Sequence, residues 1–242
     1  MDRFAGKRVL VTGGALRVGA AICRAFAGAG AKVIVHYRNS EQEAQDLCRS
    51  LPGDGHEVIQ CDLADTAAVR TLFAKIGKPV DILINNASHF ERPIPPEEET
   101  PEFIDRCFRV NATAPVLLMQ QFAAQDLAEE GVIINLLDQA AEIPQLRGGA
   151  YLASRRELRA ATLEFALNCA PRIRVNGVAP GAVLPPAWMP ESRMEKTIPT
   201  IPLLRTATVE DLTDTVLFLA GNRSITGTIV CVDAGQHLNF HQ

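Results

Sequence analysis

The chain has 242 residues, 47% of them hydrophobic and 21% charged, with a formal net charge of -4. This length and composition accommodate one large α/β domain with a full core, and exclude a disordered or fibrous chain. The acidic balance argues against a general nucleic-acid binder, and no apolar run approaches the roughly 18 residues that a membrane span needs.

In chain order, short apolar runs alternate with amphipathic stretches. Strand 8–12 leads through a glycine-rich turn into helix 17–29, followed by strand 32–37, helix 41–50, strand 57–61, helix 67–76 and strand 80–85. A proline-rich acidic stretch, 91–102, reads as a solvated loop. Thr100, Pro101 and Glu102 then supply a capping hydroxyl, a first-turn proline and an acid at the start of helix 102–128. Strand 132–137, helix 151–168, strand 174–178, helix 210–220 and strand 228–232 complete the series. Several strands are continuous Val/Ile/Leu runs, as parallel strands covered on both faces require. The alternation predicts a single α/β domain, 1–242, built on a doubly wound parallel sheet. Segment 182–202, rich in proline and carrying Trp188, Met189 and Met194, breaks the rhythm and reads as a substrate loop, or else as a surface that packs onto a partner subunit.

Cys23, Cys48, Cys61, Cys107, Cys169 and Cys231 form neither a C-x-x-C pair nor a zinc spacing. They read as reduced thiols in a cytoplasmic protein. Residues 1–7 carry no signal-peptide pattern. The histidines show no ligand spacing, so no metal is expected.

Gly13 and Gly19 flank a strand-to-helix turn that includes Arg17 and Val18, and such a turn lets backbone N–H groups approach a pyrophosphate. An NAD site usually has an acid at the end of the second strand. This chain has His36, Tyr37, Arg38, Asn39 and Ser40 instead. A cation and a hydroxyl there suit a 2′-phosphate, which predicts NADPH/NADP rather than NADH. Further along, Tyr151 and Arg155 stand at positions i and i+4 of one helix face. A cation beside a phenol favours the phenolate, so the pair predicts a proton donor with a pKa drawn down toward neutrality.

Taken together, Thr12, Gly13, Gly19, Cys61-Asp62-Leu63, Asn85-Asn86-Ala87, Asn111, Tyr151-x-x-x-Arg155, Pro180-Gly181 and the ending Val232-Asp233-Ala234-Gly235 resemble the short-chain dehydrogenase/reductase family over nearly the whole chain. The resemblance implies a seven-stranded Rossmann sheet with helices on both faces and a nicotinamide cofactor. It implies Asp62 and Leu63 on the adenine side, Asn86 and Ala87 by the ribose, and Pro180, Gly181 and Val183 by the nicotinamide. Asn111 would hold a water of the proton relay, Tyr151 would act as general acid, and Arg155 stands where the family has a lysine that binds the ribose. It also implies a homo-oligomer, dimer or tetramer, although Arg156, Glu157 and Arg159 charge the helix that often meets a second subunit.

Three departures resemble the pteridine reductases in particular. Arg17 replaces a glycine of the turn, Ser88 and then His89-Phe90 follow Asn85-Asn86-Ala87, and Asp138 replaces the usual serine. In that subgroup the equivalent of Phe90 and the nicotinamide sandwich the pterin. The equivalents of Arg17 and Ser88 bind ligand or phosphate, and those of Asp138 and Tyr151 protonate the ring. A carboxylate beside the phenol suits a nitrogen-rich ring better than a developing oxyanion. The expected function is NADPH-dependent reduction of a pterin or dihydropterin. The alternatives are a 3-oxoacyl or other carbonyl reductase, and a dinucleotide-binding protein with little turnover because of Arg155.

Overall fold

The computed structural model describes residues 3–90, 94–143, 148–185 and 195–239. Its seven strands are β1 (Arg8–Val11), β2 (Lys32–Tyr37), β3 (Glu57–Gln60), β4 (Ile82–Asn85), β5 (Gly131–Leu136), β6 (Ile173–Pro180) and β7 (Ile229–Val232). They form one parallel sheet in the order β3-β2-β1-β4-β5-β6-β7. The order reverses between β1 and β4, and in open α/β sheets the ligand crevice lies beyond the strand ends at that switch.

Alternate strand residues feed two cores. Val9, Val11, Val33, Val35, Ile82 and Ile84 face α1 (Arg17–Gly28), α2 (Glu41–Ser50) and α8 (Val209–Gly221). Leu10, Ile34, Leu83, Ile133 and Val175 face the other way, toward α3 (Thr66–Arg70), α4 (Leu72–Ile76), α6 (Ala114–Ala123) and α7 (Gly149–Asn168). Continuous apolar strands are therefore needed because both faces are covered. Among the described residues no helix is long and apolar enough to cross a membrane.

Two of the expected helices are broken. Helix 67–76 divides at Thr71, whose hydroxyl and N–H both bond the Ala68 carbonyl, at 3.0 and 3.2 Å. Helix 102–128 is α5 (Pro101–Phe108), a π-helical turn (Arg109–Thr113) and α6, which ends at Ala123. The start is as expected, with Thr100 Oγ1 accepting the Phe103 N–H. The wide turn follows from Pro115, which has no N–H to offer the carbonyl of Asn111 four residues earlier. π-helical turns of this kind occur frequently at functional sites.

A buried side-chain clamp joins the two strands at the switch. Thr12 Oγ1 accepts the N–H groups of Asn86 (2.9 Å) and Ala87 (3.0 Å) and donates to the Ile84 carbonyl (3.3 Å). Asn86 Nδ2 returns bonds to the carbonyls of Thr12 (2.9 Å) and Gly13 (3.1 Å). Thr12→Val keeps the side-chain shape but removes the acceptor of the Ala87 N–H, whereas the Asn86 N–H keeps the Ile84 carbonyl at 3.1 Å, and an unsatisfied buried group costs about 1–3 kcal/mol. The variant is expected to lose about 1–3 kcal/mol in a urea titration, with Thr12→Ser close to the parent.

Candidate active site

The crevice beyond the strand ends is a cleft of ≈1180 Å³. That is more than a drug-sized ligand requires, and leaves room for a dinucleotide with a second molecule beside it. Every residue expected at the site from sequence lines it, with one exception, Asn111.

The turn after β1 forms its floor. Gly13 has a φ of +60, and a Cβ on Gly19 would lie 2.1 Å from the Gly13 carbonyl oxygen, so the close packing of turn against helix requires glycine there. α1 begins at Arg17 with no side-chain cap and no acid in its first turn. Its leading N–H groups and the positive end of its dipole are thus available to a phosphate. Arg17 takes a left-handed φ of 53. Its guanidinium donates to the carbonyls of Leu184 (3.2 Å) and Pro185 (2.9 Å), which ties the turn to the chain after β6.

His36, expected among the cofactor-binding residues, lines the cleft with both ring nitrogens engaged within the chain. Its Nδ1 accepts the Gly13 N–H at 3.0 Å and its Nε2 donates to the Cys61 carbonyl at 3.0 Å. Both nitrogens brace the turn. Burial pushes its pKa down to about 4. Tyr37, Arg38 and Ser40 do open onto the cleft, Arg38 exposed and Ser40 with its hydroxyl not spent on capping α2. At the end of β3, Asp62 accepts from the Ala64 N–H (2.9 Å) and pairs with Arg106 of α5 (3.4 Å). The Asp62 carboxyl is held below its usual range by the Ala64 N–H and Arg106, against a burial effect of opposite sign. Arg106 lines the cleft but carried no sequence signal, because its partner is 44 residues away.

Asp138, Tyr151, Arg155 and Phe90 meet at the opposite end of the cleft. The Tyr151 hydroxyl donates to Asp138 Oδ2 at 2.8 Å, while Asp138 Oδ1 accepts the Ala140 N–H at 2.8 Å and caps the short turn Gln139–Glu142. The Phe90 ring packs on the phenol at 4.6 Å between ring centroids, and Phe90 is exposed and lines the cleft. Arg155 is buried, its Cζ 5.5 Å from the centre of the Tyr151 ring, and one N–H donates to the Leu136 carbonyl at 3.1 Å. Its Nε is buried with no hydrogen-bond partner among the described residues.

The expectation that Arg155 draws the phenol toward neutrality is corrected by these surroundings. The Tyr151 pKa is raised above the ordinary phenol value: burial is the largest cause, Arg155 opposes it, and the Asp138 charge adds to the rise. Tyr151 is accordingly a protonated phenol at neutral pH. Asn111, expected to hold a water, lies behind the wall. Its side chain accepts the His89 N–H (2.7 Å) and donates to the His89 carbonyl and to Ser154 Oγ, both at 3.0 Å. Arg156 and Arg159 of α7 are bound within the chain, Arg156 to the Ile143 carbonyl and Arg159 to Glu142, each at 2.8 Å. Among the described residues, no group of three or more His, Cys, Asp or Glu could hold a metal ion.

This fold and this cleft define a dinucleotide-dependent oxidoreductase of the doubly wound type. The family model described as enoyl-(acyl carrier protein) reductase matches residues 14–237. L-xylulose reductase of Bos taurus is 36% identical over 96% of this chain and 97% of its own. The FolM alternative dihydrofolate reductase 1 from Brucella canis, solved with NADP, superposes with a TM-score of 0.92 at 32% identity, over 100% of this chain and 98% of that one. The angucycline C-6 ketoreductase LanV, with bound NADP, gives a TM-score of 0.86 at 31% identity over 98% and 97%. The chain belongs to the short-chain dehydrogenase/reductase family. It is an NADP(H)-dependent oxidoreductase, consistent with Arg38 and the lack of an acid at the end of β2. The glycine cradle, the uncapped start of α1 and the unspent Nε donor of Arg155 fit that group.

Two outcomes follow. His36 is held neutral, so its contribution to stability is complete above pH ~6.5, its unfolded value, and is lost as pH falls from there through about 4. Over that window the loss amounts to about 3 kcal/mol, and urea titrations at pH 7 and pH 4.5 should show it in the parent but not in His36→Gln. Separately, Arg155→Lys keeps the charge and removes the fork. If guanidinium is only a stand-in for lysine, the NADPH oxidation rate of that variant holds or rises; a loss above about tenfold would mark a site built around guanidinium.

Proposed function

We propose that this reductase acts on a flat nitrogen heterocycle of the pterin or dihydropterin type. The observation that carries this reading is the Asp138 carboxylate on the Tyr151 hydroxyl. A ketone gains a negative oxygen as it is reduced, and a carboxylate at that point opposes it. A heterocycle with ring N–H and amino groups presents donors that a carboxylate accepts. The similarity to an alternative dihydrofolate reductase supports the same choice.

When bound, reduced NADP supplies a hydride. The turn at Gly13, Val18 and Gly19 and the start of α1 would hold its pyrophosphate, and Tyr37, Arg38 and Ser40 its 2′-phosphate. Asp62 and Leu63 would lie by the adenine, Asn86 and Ala87 by the ribose, and Pro180, Gly181 and Val183 by the nicotinamide. Arg155 would give its free N–H to the ribose hydroxyls. Phe90 would offer an aromatic face on which the substrate ring stacks, with Ser88 and Arg17 at the ring's edge. Asp138 would accept from the ring's N–H groups and orient it. Tyr151, kept protonated by burial, would deliver its hydroxyl proton to a ring nitrogen. The proton would be replaced through a water on the main-chain carbonyl of Asn111, which Pro115 leaves without an α-helical donor.

The working unit in this reading is the whole chain, 1–242, with 182–202 as its substrate loop and a small molecule as substrate; 186–194 lie outside the described residues. We place it in the cytoplasm as a homo-oligomer, dimer or tetramer. A second reading, reduction of a sugar-type or polyketide carbonyl, draws on the likeness to L-xylulose reductase and to LanV, since a buried phenol also serves a ketone.

NADPH oxidation with dihydrobiopterin, dihydrofolate, quinonoid dihydropterin, L-xylulose and a 3-oxoacyl thioester, run side by side, decides between them. Turnover of the pterins is expected. Turnover of the carbonyl compounds alone would overturn the reading, and NADPH binding without any turnover would favour a binding protein. Asp138→Ser sharpens the contrast: pterin turnover is expected to fall about 10- to 100-fold while any carbonyl turnover holds or rises.

A further inference from the structure

The helix that carries Tyr151 has no cap of its own. α7 starts at Gly149 after Gly148, with no side-chain cap and no acid in its first turn. Helix starts leave N–H groups that need acceptors, and those of a functional helix buried without one are costly. The acceptor here comes from 51 residues away: the Glu99 carboxylate, both oxygens 3.0 Å from the N–H of Ala150, the residue before Tyr151.

The sequence around both ends is arranged for this contact. A Cβ on Gly149 would lie 1.9 Å from Glu99 Oε1, and Gly149 has a φ of +55, so glycine both adopts the backbone and clears the space. Glu99 is presented by the turn Pro96–Glu98 and locked on its other side by the Thr100 cap of α5. Glu97 and Glu98 are exposed, whereas Glu99 is half-buried. The acidic stretch therefore contains one carboxylate with a different role from its neighbours. A negative charge at a helix N-terminus is favourable in its own right. The next contact along α7 is Ser154, whose hydroxyl donates to the Tyr151 carbonyl at 2.6 Å and receives Asn111 Nδ2.

We propose that Glu99 is a positioning residue for Tyr151: a cap supplied from outside the helix that sets where the first turn of α7 places the phenol relative to Asp138. This rests on the reading of Tyr151 as proton donor. A displacement of about an ångström at a reacting group can cost about 100-fold in rate.

The test uses Glu99→Ala, Glu99→Gln and Glu99→Asp in the full chain. The protein has only two tyrosines, so [13Cζ]tyrosine labelling yields two ring signals, assigned by Tyr37→Phe. In Glu99→Ala the Tyr151 signal is expected to move while that of Tyr37 stays. With the best substrate of the panel above, kcat should fall about 10- to 100-fold with the KM for NADPH within about twofold. Glu99→Gln keeps an acceptor oxygen and should restore both readings to near the parent. Should Glu99→Ala not fold, Glu99→Asp, with the acceptor drawn back by one methylene, gives the same signal shift. An unmoved Tyr151 signal in the variant that folds, or Glu99→Gln as impaired as Glu99→Ala, overturns the proposal. The spectroscopic reading needs no substrate, so failure of the pterin assignment is distinguishable from failure of this one.

Discussion

The Thr12 hydroxyl at the switch point is the contact on which the site depends. It accepts the N–H groups of Asn86 and Ala87, and Asn86 closes the loop back onto the carbonyls of Thr12 and Gly13. The β1–β4 ladder ends at this point, where the Thr12 and Asn86 N–H groups share the Ile84 carbonyl at 3.0 and 3.1 Å. The Thr12 hydroxyl and the Asn86 amide add the bonds that join the two segments beyond it. The same set of bonds fixes the glycine turn against the segment 86–90. The two ends of the cleft are thereby held in one frame, with His36 bracing the turn from β2 through Gly13.

At the far end of the cleft, opposing influences act on one phenol. Burial and the Asp138 charge favour the protonated form, and Arg155 favours the ionised one. Burial prevails, so Tyr151 donates to the carboxylate rather than standing as a phenolate beside the cation. Asp138 divides its two oxygens between Tyr151 and the Ala140 N–H, which makes capping and contact with the phenol two functions of one side chain. Arg156 and Arg159, which charge α7, meet the Ile143 carbonyl and Glu142 within the chain. They hold the stretch after Asp138 against α7.

The strand positions and the glycine turn were legible because they rest on local rules: continuous apolar runs for doubly covered strands, glycine where the backbone needs room. Asp138, Tyr151, Arg155 and Phe90 were legible as a set of residue types. The breaks at Thr71 and Pro115 were missed because apolar periodicity continues through both; a hydroxyl that competes for a carbonyl and a proline that withholds an N–H act on the backbone, not on the pattern. Pro115 was the available signal for the second. Arg106 and Glu99 carried none, since their partners are 44 and 51 residues distant.

The sequence by itself determined the order of strands and helices, the glycine turn after β1 and the presence of a phenol four residues before a cation. Those features depend on spacing and side-chain chemistry within a few residues. Only the tertiary structure decided what the phenol is. Its protonation, its carboxylate partner, the cap on its helix and the commitment of His36 and Asn111 to bracing all depend on desolvation and contacts between distant segments. A pKa responds to the sum of those surroundings, and that sum exists only once the sheet and its helices have closed around the site.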